Sequence, residues 1–502
     1  MKRGIAVLAV SLLMFPVSRS AAADASPPLS PETQECLGCH LMATPGIVAD
    51  WGTSRHSKTV PAEAVKESPK ARRVSASSFP DHLSQVAVGC FECHTMETDR
   101  HADGFEHNGY IIHLIVTPGD CSACHLTEVQ EYATTKKAMA HRNLLENPLY
   151  MTLVDSILGQ KSWTDEGLSS WSAGPNTLHE TCLGCHGTKI EVRGVKTIET
   201  DLLGEMEILD VGGWPNQGVG RVNPDGTFGS CSACHPRHSF SIEIARKPYT
   251  CAQCHLEPDV PAWNVYKESK HGNIYSSKKE KWNFDNVPWV LGVDFSAPTC
   301  ATCHNSLVVD PEGEILVERT HDFGSRLWIR LFSLIYSHPQ PRDGDVTAIR
   351  NADGLPLPTT FLGVPATEYL IGKDIAQMRK DKMSSVCTGC HGTGWVEGHF
   401  GKMDRTIKEV DRMIFTTTRM IFSAWEKGLA DPENPFDEAL EKRWLSQWLF
   451  YANSIKYSSA MTGAPDYATF KNGWWELSRN LAGMEEIMDL MGGIQGSDTE
   501  SR

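Results

Sequence analysis

CSACHPRHSF, residues 231–240, sets two cysteines one helical turn apart, a histidine directly after the second, and another histidine three residues on. Cys231, Cys234 and His235 are one instance of a C-x-x-C-H triplet that recurs along the chain. The others are Cys36, Cys39 and His40; Cys90, Cys93 and His94; Cys121, Cys124 and His125; Cys182, Cys185 and His186; Cys251, Cys254 and His255; Cys300, Cys303 and His304; and Cys387, Cys390 and His391. The eight triplets use all 16 cysteines and leave none for a disulfide. Two thiols at this spacing can bond the two vinyl groups of one porphyrin while the adjoining histidine reaches its iron, so the chemistry read here is covalent attachment of c-type haem. Zinc also takes Cys-x-x-Cys pairs. It gives no reason for a histidine after every pair, and with 20 histidines in 502 residues eight coincidences have a probability on the order of 10⁻¹¹. The expected cofactors are eight covalently attached haems.

An iron held from one side has an opposite face. A second histidine there makes a low-spin electron-transfer centre, and an open face makes a site for chemistry. Twelve histidines lie outside the triplets, and His56, His107, His113, His141, His238, His271 and His321 are the candidate second ligands. His238 is too close along the chain to reach over the porphyrin of His235 and is assigned to a neighbouring haem. Twelve histidines could cap every iron, so counting leaves both a wire and a catalyst open.

The elements that must position these groups divide the chain in three: a signal peptide over 1–23, a haem-carrying body over 24–400 and a helical region over 401–502. Irregular triplet spacing, 41 Gly and 28 Pro argue for short helices and loops wrapped on haem, with little sheet. The fold class is mainly α with a haem-filled core. After Arg350 the pattern turns helical, over 402–430, 436–461 and 466–491; Leu445, Trp448, Leu449 and Ala452 fall at i, i+3, i+4 and i+7. These three helices serve packing or trimerisation, their aromatic residues lying on haem, on one another or on another subunit. Lys2 and Arg3 precede an apolar run from Gly4 to Val17, with a small-residue cleavage site at Ala21–Ala23. No later stretch is apolar enough to span a membrane. The expected location is therefore periplasmic. The formal charge of −15 argues against nucleic acid and for a basic redox partner such as a cytochrome c.

Several longer stretches add to the triplets: WGTSRHSK around His56, FEHNGYIIH before the third triplet, GVGRVNPDGTFGSCSACHPRHSF at the fifth, YKESKHGN around His271, SAPTCATCH at the seventh and THDFGSRL around His321. Together they resemble the octahaem hydroxylamine oxidoreductase family, of which this chain looks like a divergent member over nearly its whole length. The resemblance implies a homotrimer with seven bis-histidine haems and one five-coordinate catalytic haem at the fourth triplet, on His186. Substrates in that family are small nitrogen compounds, oxidised as hydroxylamine or hydrazine or reduced as nitrite or nitric oxide. Its oxidising members bond a tyrosine from an adjacent subunit's C-terminal helices to the catalytic porphyrin; Tyr467 is the candidate by position, with Tyr457 and Tyr451 behind it. The family's distal aspartate, histidine and tyrosine fall at Asp210, Gln217 and Phe295. The last two have lost a group that moves protons, which puts ordinary hydroxylamine oxidation in doubt. An enzyme of small nitrogen compounds and a non-catalytic electron carrier with a degenerate site both remain open.

Overall fold

Most triplets fold as a single helical turn, because two cysteines at i and i+3 and a histidine at i+4 share one helix face. The computed structural model describes residues 26–200 and 204–500, side chains being described as far as 492. The signal-peptide expectation over 1–23 lies outside the described residues. Helices Cys90–His94, Cys182–His186 and Cys300–His304 span one triplet each, and the first triplet lies within Pro31–Ala43. Residues in or beside the triplets also close the helix starts. Glu92 Oε2 accepts from Gly89 N at 2.8 Å, Asp120 Oδ2 from Thr117 N at 2.7 Å, and Thr302 Oγ1 from Thr299 N at 2.9 Å. Glu92 also accepts from Thr33 Oγ1 at 2.7 Å, which ties the second triplet to the helix of the first.

Strand is sparse and comes as two-stranded hairpins plus one small three-stranded sheet. The longest hairpin, strands Glu191–Thr200 and Gly204–Gly212, starts just after the fourth triplet. It is a larger piece of sheet than the composition suggested. Its return strand delivers the loop 213–223 back against His186.

The C-terminal part is helical as expected, with shifted bounds. Helix Thr393–Glu426 buries Val396, Phe400, Met403, Ile407, Val410, Ile414, Thr417, Ile421 and Ala424, alternating steps of four and three that keep one stripe facing inward. Helix Ala439–Ser446 continues through a wider π turn, Gln447–Tyr451, into Ala452–Met461. Helix Trp474–Glu500 closes the group. Trp444 and Trp448 are buried among Phe436, Leu440, Ile421 and Leu477, each such side chain contributing about 1.5–3 kcal/mol. The body–tail divide expected at residue 400 falls inside helix Thr393–Glu426, so continuous helix crosses it. No described helix is long and apolar enough to cross a membrane.

Candidate haem-binding centres

Two imidazoles ligating one iron from opposite sides have ring centroids about 6.3 Å apart, since each metal–nitrogen bond is about 2.0 Å and each centroid lies about 1.1 Å behind its nitrogen. Four triplet histidines face a second histidine at this separation: His40 with His107 at 6.3 Å, His125 with His56 at 6.3 Å, His235 with His321 at 6.5 Å and His391 with His271 at 6.1 Å. His238 feels the charge of His94, at the second triplet rather than its own. Burial pushes His56, His235 and His321 down to about 4, so they are neutral at physiological pH, the form a metal takes. The chain's own residues therefore fit haem.

Two further expected ligands sit differently. His94 and His113 have centroids 6.0 Å apart, but His94 Nδ1 donates to the His113 carbonyl at 2.8 Å. That bond places residue 113 behind the His94 ring, away from Nε2, so the pair does not bracket an iron. His113 stacks instead on His101 at 3.6 Å, beside Asp103, with both ring nitrogens buried and without a hydrogen bond, Nε2 lying 3.8 Å from Asp120 Oδ1. His141 and His186 brace each other's backbone: His141 Nδ1 donates to Gly187 O at 2.7 Å and His186 Nδ1 to Ala140 O at 3.1 Å. His141 thus lies behind His186 and is available only to another iron.

The thiols show which centres adjoin. Cys121 lies beside Cys231, Cys185 beside Cys254 and Cys251 beside Cys300, each acting on the other's thiol. Electrostatic contact joins Cys90 to Cys36, Cys93 to Cys124, Cys234 to Cys251, and Cys303 to Cys387. Adjacency runs through triplets one, two, three, five, six, seven and eight, with the fourth attached as a branch at the sixth.

That branch has its own environment. His186 is exposed, whereas the other seven triplet histidines are half-buried. Beneath it, Asn216 Nδ2 donates to Leu183 O at 3.1 Å, Val219 N to Cys185 O at 3.0 Å and Gly220 N to His186 O at 3.2 Å. Besides desolvation and the Ala140 bond, the charges acting on its ring are Asp259, which favours a proton there, and Arg330 and His141, which oppose it. Burial raises the Asp259 carboxyl and also the Tyr457 phenol, on which Arg330 and Asp259 both act. Arg330 Nη1 is buried without a hydrogen-bond partner.

The distal positions expected from the resemblance are not gathered here. Asp210 stands on the long hairpin, paired with Lys196 Nζ at 2.8 Å. Gln217 is exposed on the loop beneath the triplet. Phe295 is 2% exposed, stacked on Trp289 at 4.0 Å in a separate aromatic cluster. Tyr467 is 1% exposed within its own chain, its hydroxyl accepting from Asn472 Nδ2 at 3.3 Å.

Residues 224–315 match the family model described as seven times multi-haem cytochrome CxxCH. A solved structure titled "Hypothetical multiheme protein" is 40% identical, covers 94% of this chain and 98% of its own, and superposes with a TM-score of 0.88. The chain belongs to the multihaem c-type cytochromes related to hydroxylamine oxidoreductase. This cytochrome is also 28% identical over 282 residues to a "Probable nitrite reductase-hydroxylamine oxidoreductase fusion protein" of Kuenenia stuttgartiensis, a match over 54% of this chain that spans only 25% of that protein's length. It shares its fold with a reducing HAO-like protein complex of the same organism, at 17% identity, 94% coverage of this chain, 87% of that one and a TM-score of 0.62.

As a multihaem c-type cytochrome the protein binds haem covalently through its triplets and carries electrons. Sequence reasoning passed over His338, which is 2% exposed, with Nδ1 donating to Pro339 O at 2.6 Å and Nε2 unpartnered. A ring pinned through one nitrogen presents the other to a metal. No local motif marks it; only its burial does. Asp259 and Arg330 were missed for a related reason, since they come from segments far apart in the chain.

Proposed function

We propose that this cytochrome is an oxidoreductase of small nitrogen compounds, reducing nitrite, nitric oxide or hydroxylamine at the haem of the fourth triplet, while the rest of an eight-haem set stores and passes electrons. The observation that carries this reading is the place of His186 at the branch of the cysteine network, within the fields of Asp259 and Arg330. The bound haem supplies electrons and an iron that takes a nitrogen ligand. Arg330, with a free buried Nη1, holds an anion; Asp259, its carboxyl raised by burial, and the Tyr457 hydroxyl hold and deliver protons. We favour the reducing direction because the Tyr467 side chain is enclosed within its own chain. It is also supported by the nitrite-reductase and reducing descriptions of the two Kuenenia proteins. We place the protein in the periplasm as a homotrimer, with a basic cytochrome as electron donor.

A non-catalytic carrier is the second reading, favoured by the scattering of Asp210, Gln217 and Phe295. Haem counting and spectroscopy on the purified holoprotein separate the two. Eight haems per chain, with carbon monoxide bound at the fourth triplet in the reduced state and nitrite-dependent oxidation of a reduced viologen, are expected. Haems that are all low-spin, take up no ligand and pass no electrons to nitrite would leave the carrier.

A further inference from the structure

The sixth triplet departs from the four centres in which two imidazoles face each other. His255 faces no imidazole among the described residues; its Nε2, the nitrogen an attachment histidine turns to iron, lies 3.2 Å from Lys137 Nζ. Lys137 also acts on the thiols of this same triplet, Cys251 and Cys254. Its ammonium sits over the Phe323 ring at 5.0 Å, and no described carboxylate pairs with it. A half-buried lysine among aromatic and thiol groups, with no counter-ion, is an arrangement that side-chain packing alone does not explain.

We propose that Lys137 is the second axial ligand of the haem carried by Cys251 and Cys254, making this centre histidine–lysine rather than bis-histidine. Two nitrogens on opposite sides of an iron stand about 4 Å apart, so Lys137 must retreat by roughly 0.8 Å from its observed position, well within the reach of a four-carbon side chain. The placement is fixed locally: Ala138 next to it is fully buried, and Ala138 N donates to Thr135 Oγ1 at 3.2 Å. On binding, the amine gives its proton to solvent and its lone pair to iron, as any metal ligand does. Because an amine is a stronger σ-donor than imidazole, this haem differs electronically from its bis-histidine neighbours, and it is the one adjoining the fourth triplet through Cys254 and Cys185.

The test uses haem-loaded protein. Near-infrared magnetic circular dichroism of the oxidised wild type should show one low-spin charge-transfer band of the lysine-ligated type beside those of bis-histidine haems. Lys137→Ala should convert one low-spin haem per chain to high-spin and add one equivalent of carbon monoxide bound per reduced chain, with haem content unchanged. Lys137→His should restore the low-spin count with only bis-histidine bands. A wild-type spectrum holding bis-histidine bands alone overturns the proposal even if the variants fail to mature, as does a Lys137→Ala protein whose high-spin count is unaltered. Neither result depends on which nitrogen compound is turned over, so a failure here is separate from a failure at His186.

Discussion

At the scale of single residues, backbone proximity constrains the fourth triplet more tightly than any side chain does. A Cβ on Gly220 would lie 2.6 Å from both His141 N and His186 O and 2.7 Å from Ala140 N, all backbone atoms that cannot yield separately. Gly220→Ala should therefore cost about 1–3 kcal/mol, visible as a lower Tm together with a changed spectrum of the haem on His186; an unchanged Tm would show that the brace is slack. A second residue effect lies at the buried pair His101 and His113. Desolvation opposes charge on His101, but hydrogen bonds to Asp103 at 3.0 Å and Asp120 at 3.2 Å outweigh it and lift its pKa from 6.5 to about 9. A raised folded-state pKa stabilises fully below 6.5 and fades as pH climbs through 9. Melting temperature should thus decline between pH 7 and 9.5, and His101→Gln should remove that part of the slope while lowering stability at pH 6. Identical slopes for the two proteins would show that His101 is not charged in the fold.

At the scale of elements, a buried ion pair joins two of the C-terminal helices. Lys456, 1% exposed by its side chain, meets Asp411 at 2.8 Å across helices Ala452–Met461 and Thr393–Glu426. Removing the acid strands a buried ammonium, so Asp411→Ala should destabilise by about 3–5 kcal/mol, whereas the paired change Asp411→Leu with Lys456→Met should recover most of that loss. Chemical denaturation of the single and double variants measures the difference, and equal losses would contradict it. These helices were legible because their stripe is buried on one side and solvated on the other. The hairpin Glu191–Thr200 and Gly204–Gly212 was not, because both its faces are largely exposed. A strand with no buried face has no period-two signature to read.

Across the whole molecule, buried apolar side chains are unevenly distributed. Among the described residues, no buried member of an apolar cluster precedes Val265, yet six of the triplets do. The N-terminal half has haem where an ordinary domain of this length has side-chain core. Chain produced without haem attachment should keep amide protection in helices Thr393–Glu426 and Ala452–Met461 and lose it before residue 260. Hydrogen exchange read by mass spectrometry would show this division, and uniform protection along the chain would refute a haem-built core.

Covalent chemistry is local, so haem attachment through Cys-x-x-Cys-His could be read from the order of residues alone. His56, His107, His271 and His321 each stand 6.1–6.5 Å from a triplet histidine, and we propose them as second ligands. Which histidine meets which, and the displacement of His113 and His141 from the iron side, depended on backbone carbonyls brought together from distant segments. The same holds for the groups around His186. Asp210, Gln217 and Phe295 were chosen by linear correspondence, whereas Asp259, Arg330 and Tyr457 converge only because the loops after the sixth and seventh triplets fold back onto the C-terminal helices. Attachment needs five consecutive residues and is written in them; a pocket is a meeting of segments, and folding alone determines its members.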